Sequence, residues 1–191
     1  MDLKEYIFNK VEPIIRKWDE EGIYAVSFFV HENMSNDSIP AFSISYNTEA
    51  DCNDTSVLSE ECWNYAFWRQ DEIEVIGDEA STATLLQWYE DNGIENIGFE
   101  DEDEDEDEDA MYDDEGEYIG KGPTGYYELA QVVSEVAKEL HEQQVISNTF
   151  KKELPIIIHD LEYSWFMIEL TKEANPSGEA DTFLAFREEN F

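Results

Sequence analysis

Three histidines, two cysteines and a run of ten consecutive carboxylates are the residues of this 191-residue chain with chemistry to offer. His159 follows Ile156–Ile158 and precedes Asp160, at the end of a short apolar strand. That pair is the one constellation resembling an acid–base site. Neighbours on a strand point to opposite faces, so the imidazole and the carboxylate need not meet. A histidine closing a buried strand is more often hydrogen-bonded locally. His31 ends another strand, and His141 falls on the expected exposed side of a long helix. Cys52 and Cys62 could pair geometrically. No secretory signal is read at Met1–Lys10, however, so reduced thiols are expected. No CxxC spacing offers a zinc site. Gly120, Gly122 and Gly125 lack both phosphate-loop patterns, and GxSxG and HExxH are absent. No catalytic residue, metal ligand or cofactor is assigned on these grounds.

Two further features could bind rather than react. Trp63, Tyr65, Phe67 and Trp68 crowd into the window Cys62–Trp68. Trp and Tyr dominate interface hot spots, which makes Trp63, Tyr65 and Trp68 candidate interface aromatics. The competing reading places them in the core, and four rings in so short a window leave at least one for the surface. The second feature is the acidic run itself: Glu100, Asp101, Glu102, Asp103, Glu104, Asp105, Glu106, Asp107, Glu108 and Asp109. Like charges at every i,i+4 position oppose a helix, and the run holds nothing apolar to bury. Residues 99–122 are therefore expected to form an acidic, glycine-bounded mobile loop. The run also lacks the alternation and Gly turn of an EF-hand, so it offers no defined metal cage.

The elements that must position these groups follow from periodicity. Leu3, Ile7, Val11, Ile14, Ile15 and Trp18 step by three and four, the stripe of a helix capped by Asp2 and ended by Gly22, with a bend at Pro13. Ile23–His31 reads as a buried strand, and Ile39–Tyr46 alternates, with Phe42, Ile44 and Tyr46 opposite Ser43 and Ser45. The two predict a hairpin with a longish loop over Glu32–Asp37. Cys62–Trp68 reads as extended, with a helix as the alternative, and Ile73 and Val75 as a short strand. Ser81–Asn92 reads as a helix capped by Gly93. Leu129, Val132, Val133, Val136, Ala137 and Leu140 form a second strong stripe, starting from Pro123 or Thr124. Leu154–His159 is a wholly apolar strand. Asp160–Lys172 and Gly178–Arg187 read as helical, broken at Asn175–Pro176. The sum is a single α+β domain spanning 1–191, with helices packed on an antiparallel or mixed sheet.

Charge narrows the function. Forty-eight acids against eleven bases give a formal charge of −37. Phosphate neutralisation needs a basic patch, so nucleic acid is excluded as a partner, and adhesion to anionic lipid is opposed as well. Taking away the ten-residue run leaves 38 acids against 11 bases, about −27, so the acidity belongs to the whole body. One reading is solubility alone; the sharper one is attraction of a basic protein. Fully extended, the run places one charge per ~3.5 Å, close to the ~3.4 Å phosphate spacing of one DNA strand. No apolar run approaches the roughly 20 residues that cross a bilayer, and the chain is expected to be cytoplasmic.

Ser43-Ile44-Ser45-Tyr46-Asn47-Thr48-Glu49, Trp63-Asn64-Tyr65-Ala66-Phe67-Trp68, His159-Asp160-Leu161-Glu162-Tyr163 and the later Asn175-Pro176 resemble a bacterial domain-of-unknown-function family, number four-three-zero-three. The likeness spans most of the chain in order, with the acidic run as a departure. It implies similarity to small acidic immunity proteins encoded beside polymorphic toxins, which neutralise a toxin domain by covering it. It implies no catalytic residues. The expectation is a non-enzymatic acidic protein that masks a basic partner, plausibly a nuclease-type toxin. The alternative is an enzyme or small-ligand binder using the aromatic segment and His159.

Overall fold

The computed structural model describes residues 2–52, 59–98, 120–161 and 163–190. The acidic run Glu100–Asp109 lies outside the described residues. Helix α1 spans Leu3–Ile15, with the Asp2 carboxylate accepting the Lys4 N–H at 3.1 Å. It stops well short of Gly22. Pro13 contributes no N–H to the last turn, and the helix ends two residues later. Trp18 therefore lies beyond the helix, its ring edge-on to Tyr46 at 4.8 Å.

Strands β1 (Ile23–Asn33) and β2 (Asn36–Thr48) form an antiparallel hairpin whose turn is only Met34–Ser35, tighter than expected. Asparagine side chains close it: Asn33 Oδ1 accepts the Ser35 N–H at 2.8 Å, and Asn36 Oδ1 the Ser38 N–H at 3.2 Å. Helix α2 (Glu60–Trp63) and a 3₁₀ turn (Tyr65–Phe67) occupy the segment expected to be extended. Strand β3 (Ile73–Ile76) and helix α3 (Glu79–Asn92) follow, α3 ending on Gly93 at φ 70°, as its sequence predicts.

Helix α4 (Tyr126–Glu142) begins after Gly125, whose N–H is taken by the Glu128 carboxylate at 2.7 Å; Pro123 and Thr124 lie outside it. A short α5 (Val145–Phe150), strand β4 (Ile156–His159), α6 (Trp165–Ala174) and α7 (Asp181–Asn190) complete the order. Among the described residues, seven helices pack with a four-stranded mixed sheet in one α+β domain, strand order β3-β2-β1-β4. Only β4 runs parallel to its neighbour, setting Phe28 beside Ile158 and Phe29 beside His159.

One sheet face presents Val26, Phe28, Val30, Phe42, Ile44, Ile156 and Ile158 to the stripes of α1 and α4 and to residues of α3, α5 and α6. Burying each large side chain contributes about 1.5–3 kcal/mol, and this is the main core. The other face departs from the simple alternation. Ser27, Ser43, Ser45 and Asn47 point away from the core yet are also buried, because the segment from Ser59 to Trp68, Tyr163 and α7 cover them.

Strand β4 has one neighbour, so its other side carries backbone groups without a strand partner. Two α6-side residues one helical turn apart supply them. Thr171 Oγ1 accepts the Ile158 N–H and donates to the Ile158 carbonyl, both at 2.9 Å. Asn175 Oδ1 accepts the Ile156 N–H at 2.9 Å, while its amide donates to the Ile156 carbonyl at 2.8 Å. Asn175, expected merely to break a helix with Pro176, thus completes the sheet. Asn175→Ala would leave two buried backbone groups unpaired, and a loss of roughly 2–4 kcal/mol is expected in urea unfolding. An unchanged midpoint would overturn this role.

Candidate functional site

The covered sheet face gathers most of the groups that the sequence offers for chemistry. His159 is fully buried. Its Nδ1 stands 3.0 Å from the Asp160 backbone carbonyl, which can only accept, so Nδ1 carries the proton. Nε2 is then an acceptor, 2.7 Å from Ser27 Oγ across the β1–β4 pair. Burial disfavours the imidazolium and holds the pKa down at about 4. A hydroxyl donating to a neutral imidazole is the geometry of an activated serine nucleophile. The Asp160 carboxylate takes no part, because it accepts from the backbone N–H and hydroxyl of Ser164 instead.

His31 repeats the arrangement on the same face. Its Nδ1 lies 2.8 Å from the Glu32 carbonyl and its Nε2 2.9 Å from Ser43 Oγ. Phe29 stacks between the two imidazoles, 4.6 Å from His31 and 5.1 Å from His159. Tyr65, Tyr163 and Trp68 close over His159 at 4.5, 5.4 and 6.3 Å. A substrate cannot reach Ser27 Oγ without displacing the rings packed on it.

The aromatic segment is this roof. Trp63, Tyr65 and Trp68 are each over nine-tenths buried, which is the core reading of the segment and not the interface one; Phe67 is the ring left at the surface, 52% exposed. The segment is coiled because its backbone groups are claimed by side chains and not by a strand. Tyr24 Oη and Trp68 Nε1 both donate to the Cys62 carbonyl, at 2.6 and 2.9 Å. Tyr163 Oη accepts the Tyr65 N–H at 2.8 Å and donates to the Trp63 carbonyl at 2.9 Å. Tyr163 holds the left-handed conformation, φ 55°, which costs a residue with a Cβ about 1–2 kcal/mol; those two hydrogen bonds offset it.

Cys52 and Cys62 are disulfide-bonded, a correction to the reduced state expected from the sequence. The fold sets their Cα atoms 5.3 Å apart, inside the range a disulfide requires. The far end of the segment is held by Arg69, which chelates the Glu20 carboxylate with two bonds of 2.9 Å and also reaches Asp51. Arg69 and the Tyr46 hydroxyl hold the Glu20 carboxyl down at about 2.

His141 corrects a third expectation: it is only 8% exposed. Its ring meets carboxylates from two other segments, Glu153 before β4 and Glu179 before α7. The candidate ligand atoms of these three residues lie within 4.8 Å of one another. Their positions in the sequence share no spacing that could have signalled the meeting.

Beyond these sites, the surface is anionic. Lys4, Arg16 and Arg69 are engaged by Glu139, Glu12 and the Glu20–Asp51 pair of the same chain. Among the described residues no helix is long and apolar enough to cross a membrane. No family model, no curated protein and no solved structure matches this chain.

A neutral buried imidazole makes a signed prediction. Below pH 6.5 the unfolded chain binds a proton at His159 that the folded chain refuses until about pH 4, so stability falls as pH drops through that window. This group contributes a slope of up to ~1.4 kcal/mol per pH unit. Urea titrations at several pH values should show a shallower dependence for His159→Gln than for the wild type. Equal slopes would place the proton elsewhere.

Proposed function

We propose that this protein is a non-enzymatic binding protein that captures and masks a basic protein partner. The formal charge of −37, still about −27 without Glu100–Asp109, carries the reading. Such self-repulsion costs stability, and a cationic surface is the partner that relieves it. The cations that could have softened the field are in part spent on internal pairs with Glu12, Glu20, Asp51 and Glu139. A nuclease-type toxin is a partner of the right sign: it binds phosphate, so its active face is basic and suits an acidic cover.

Charge steers, but apolar contact holds. Phe67, Leu161 and Trp165 are 52%, 71% and 52% exposed. They stand on the two segments that Tyr163 ties together through Trp63 and Tyr65. We assign them as the anchors around which the acidic surface closes on its partner. The enzyme alternative, through His159 and the aromatic segment, is less favoured, because Ser27 and His159 are both fully buried among the described residues.

Binding kinetics against basic proteins, nuclease-type toxin domains among them, test this. Affinity should fall steeply from low to physiological salt. Deleting Glu100–Asp109 should lower the association rate roughly tenfold or more while changing dissociation less. Trp165→Ala should act in the opposite sense, raising the dissociation rate through a loss of about 2 kcal/mol. No binding at low salt would sink the proposal; an association rate unaffected by the deletion would make the run passive.

A further inference from the structure

We propose that His141, Glu153 and Glu179 form a binding site for a divalent transition-metal ion. The three residues come from the end of α4, the approach to β4 and the approach to α7. Two carboxylates converge on one imidazole in a chain already at −37. Among the described residues, neither carboxylate is paired with a lysine or arginine. Glu179 accepts the Ser177 N–H at 2.9 Å, which orients its side chain.

The spacing of the imidazole and the first carboxylate suits two ligands of one ion as well as a long hydrogen bond. His141 Nδ1 and Glu153 Oε2 are 3.4 Å apart. A charge-assisted hydrogen bond draws N and O to about 2.7–2.9 Å. Two ligands of one tetrahedral ion with bonds near 2.0–2.1 Å stand roughly 3.3–3.4 Å apart. Glu179 is the third ligand, its oxygen within 4.8 Å of the other two ligand atoms, and the Glu153 side chain, 47% exposed, has room to turn toward it.

The imidazole supplies the second observation. His141 is more than nine-tenths buried, and its Nε2 is enclosed with no hydrogen-bond partner. Nδ1, the nitrogen toward Glu153, is the one that can offer a lone pair to an ion, with the proton on Nε2. Coordination on the carboxylate side gives the buried histidine a role. A nitrogen ligand excludes Ca²⁺ and Mg²⁺, which take oxygen, and favours Zn²⁺ and its neighbours. Three protein ligands leave a fourth position for water or for a side chain of a bound partner.

The test uses the untagged full-length chain, stripped with chelator and titrated with Zn²⁺, then Co²⁺, in physiological salt with excess Mg²⁺. The Mg²⁺ occupies the diffuse carboxylates. One tight equivalent of Zn²⁺ is expected, with visible Co²⁺ absorption bands of a tetrahedral site. At about a hundredfold excess over Kd, Tm should rise roughly 5–10 °C. Glu179→Gln and Glu153→Gln, surface changes that leave the core intact, should each weaken binding at least tenfold; His141→Ala should abolish it. Deleting Glu100–Asp109 should leave the tight equivalent in place. Wild-type affinity in both glutamine variants, loss of binding with the deletion, or no stoichiometric equivalent at all would each overturn the site.

Discussion

The parallel pairing of β4 with β1 is the constraint on which the rest of the molecule depends. It sets Ile156 and Ile158 into the main core while turning Ile157 and His159 to the opposite face. There the imidazole meets Ser27, stacks on Phe29 and becomes the floor for Tyr65, Trp68 and Tyr163. A histidine at a strand end thus does structural work through both nitrogens. Its low pKa follows from the same enclosure that keeps reactants out.

What could be read along the chain was whatever repeats locally. The stripes of α1 and α4, the apolar strands and the Gly93 cap each declare themselves within one or two turns of sequence. The errors share a different origin. Alternating rings at Trp63, Tyr65 and Phe67 imitate a strand, but the partners that fix them, Tyr24 and Tyr163, are 38 and 98 residues away at Cys62 and Tyr65. His141 sits on the stripe's margin, and only the packing around α4 buries it. The pairing of Cys52 with Cys62 follows from where β2 ends and α2 begins, which no local pattern of the sequence carries. Local period is visible in a sequence; convergence of distant segments is not.

Polar chemistry is divided between inside and outside. Inside, Ser27 pairs with His159 and Ser43 with His31 beneath aromatic rings. Outside, carboxylates dominate, and the exposed rings of Phe67 and Trp165 interrupt them. Stability and recognition are therefore carried by different residue sets, so the surface can change without disturbing the fold.

The side chains of Thr171 and Asn175 have a further consequence. By occupying the backbone groups of Ile156 and Ile158, they leave no template there on which a foreign chain could add itself as a fifth strand. Sheet extension is confined to the far side, where β3 offers four residues beside Asp71, Glu72 and Glu74. Visitors must be met by side chains, and self-association through ribbon-to-ribbon growth is stopped at its longest-buried border.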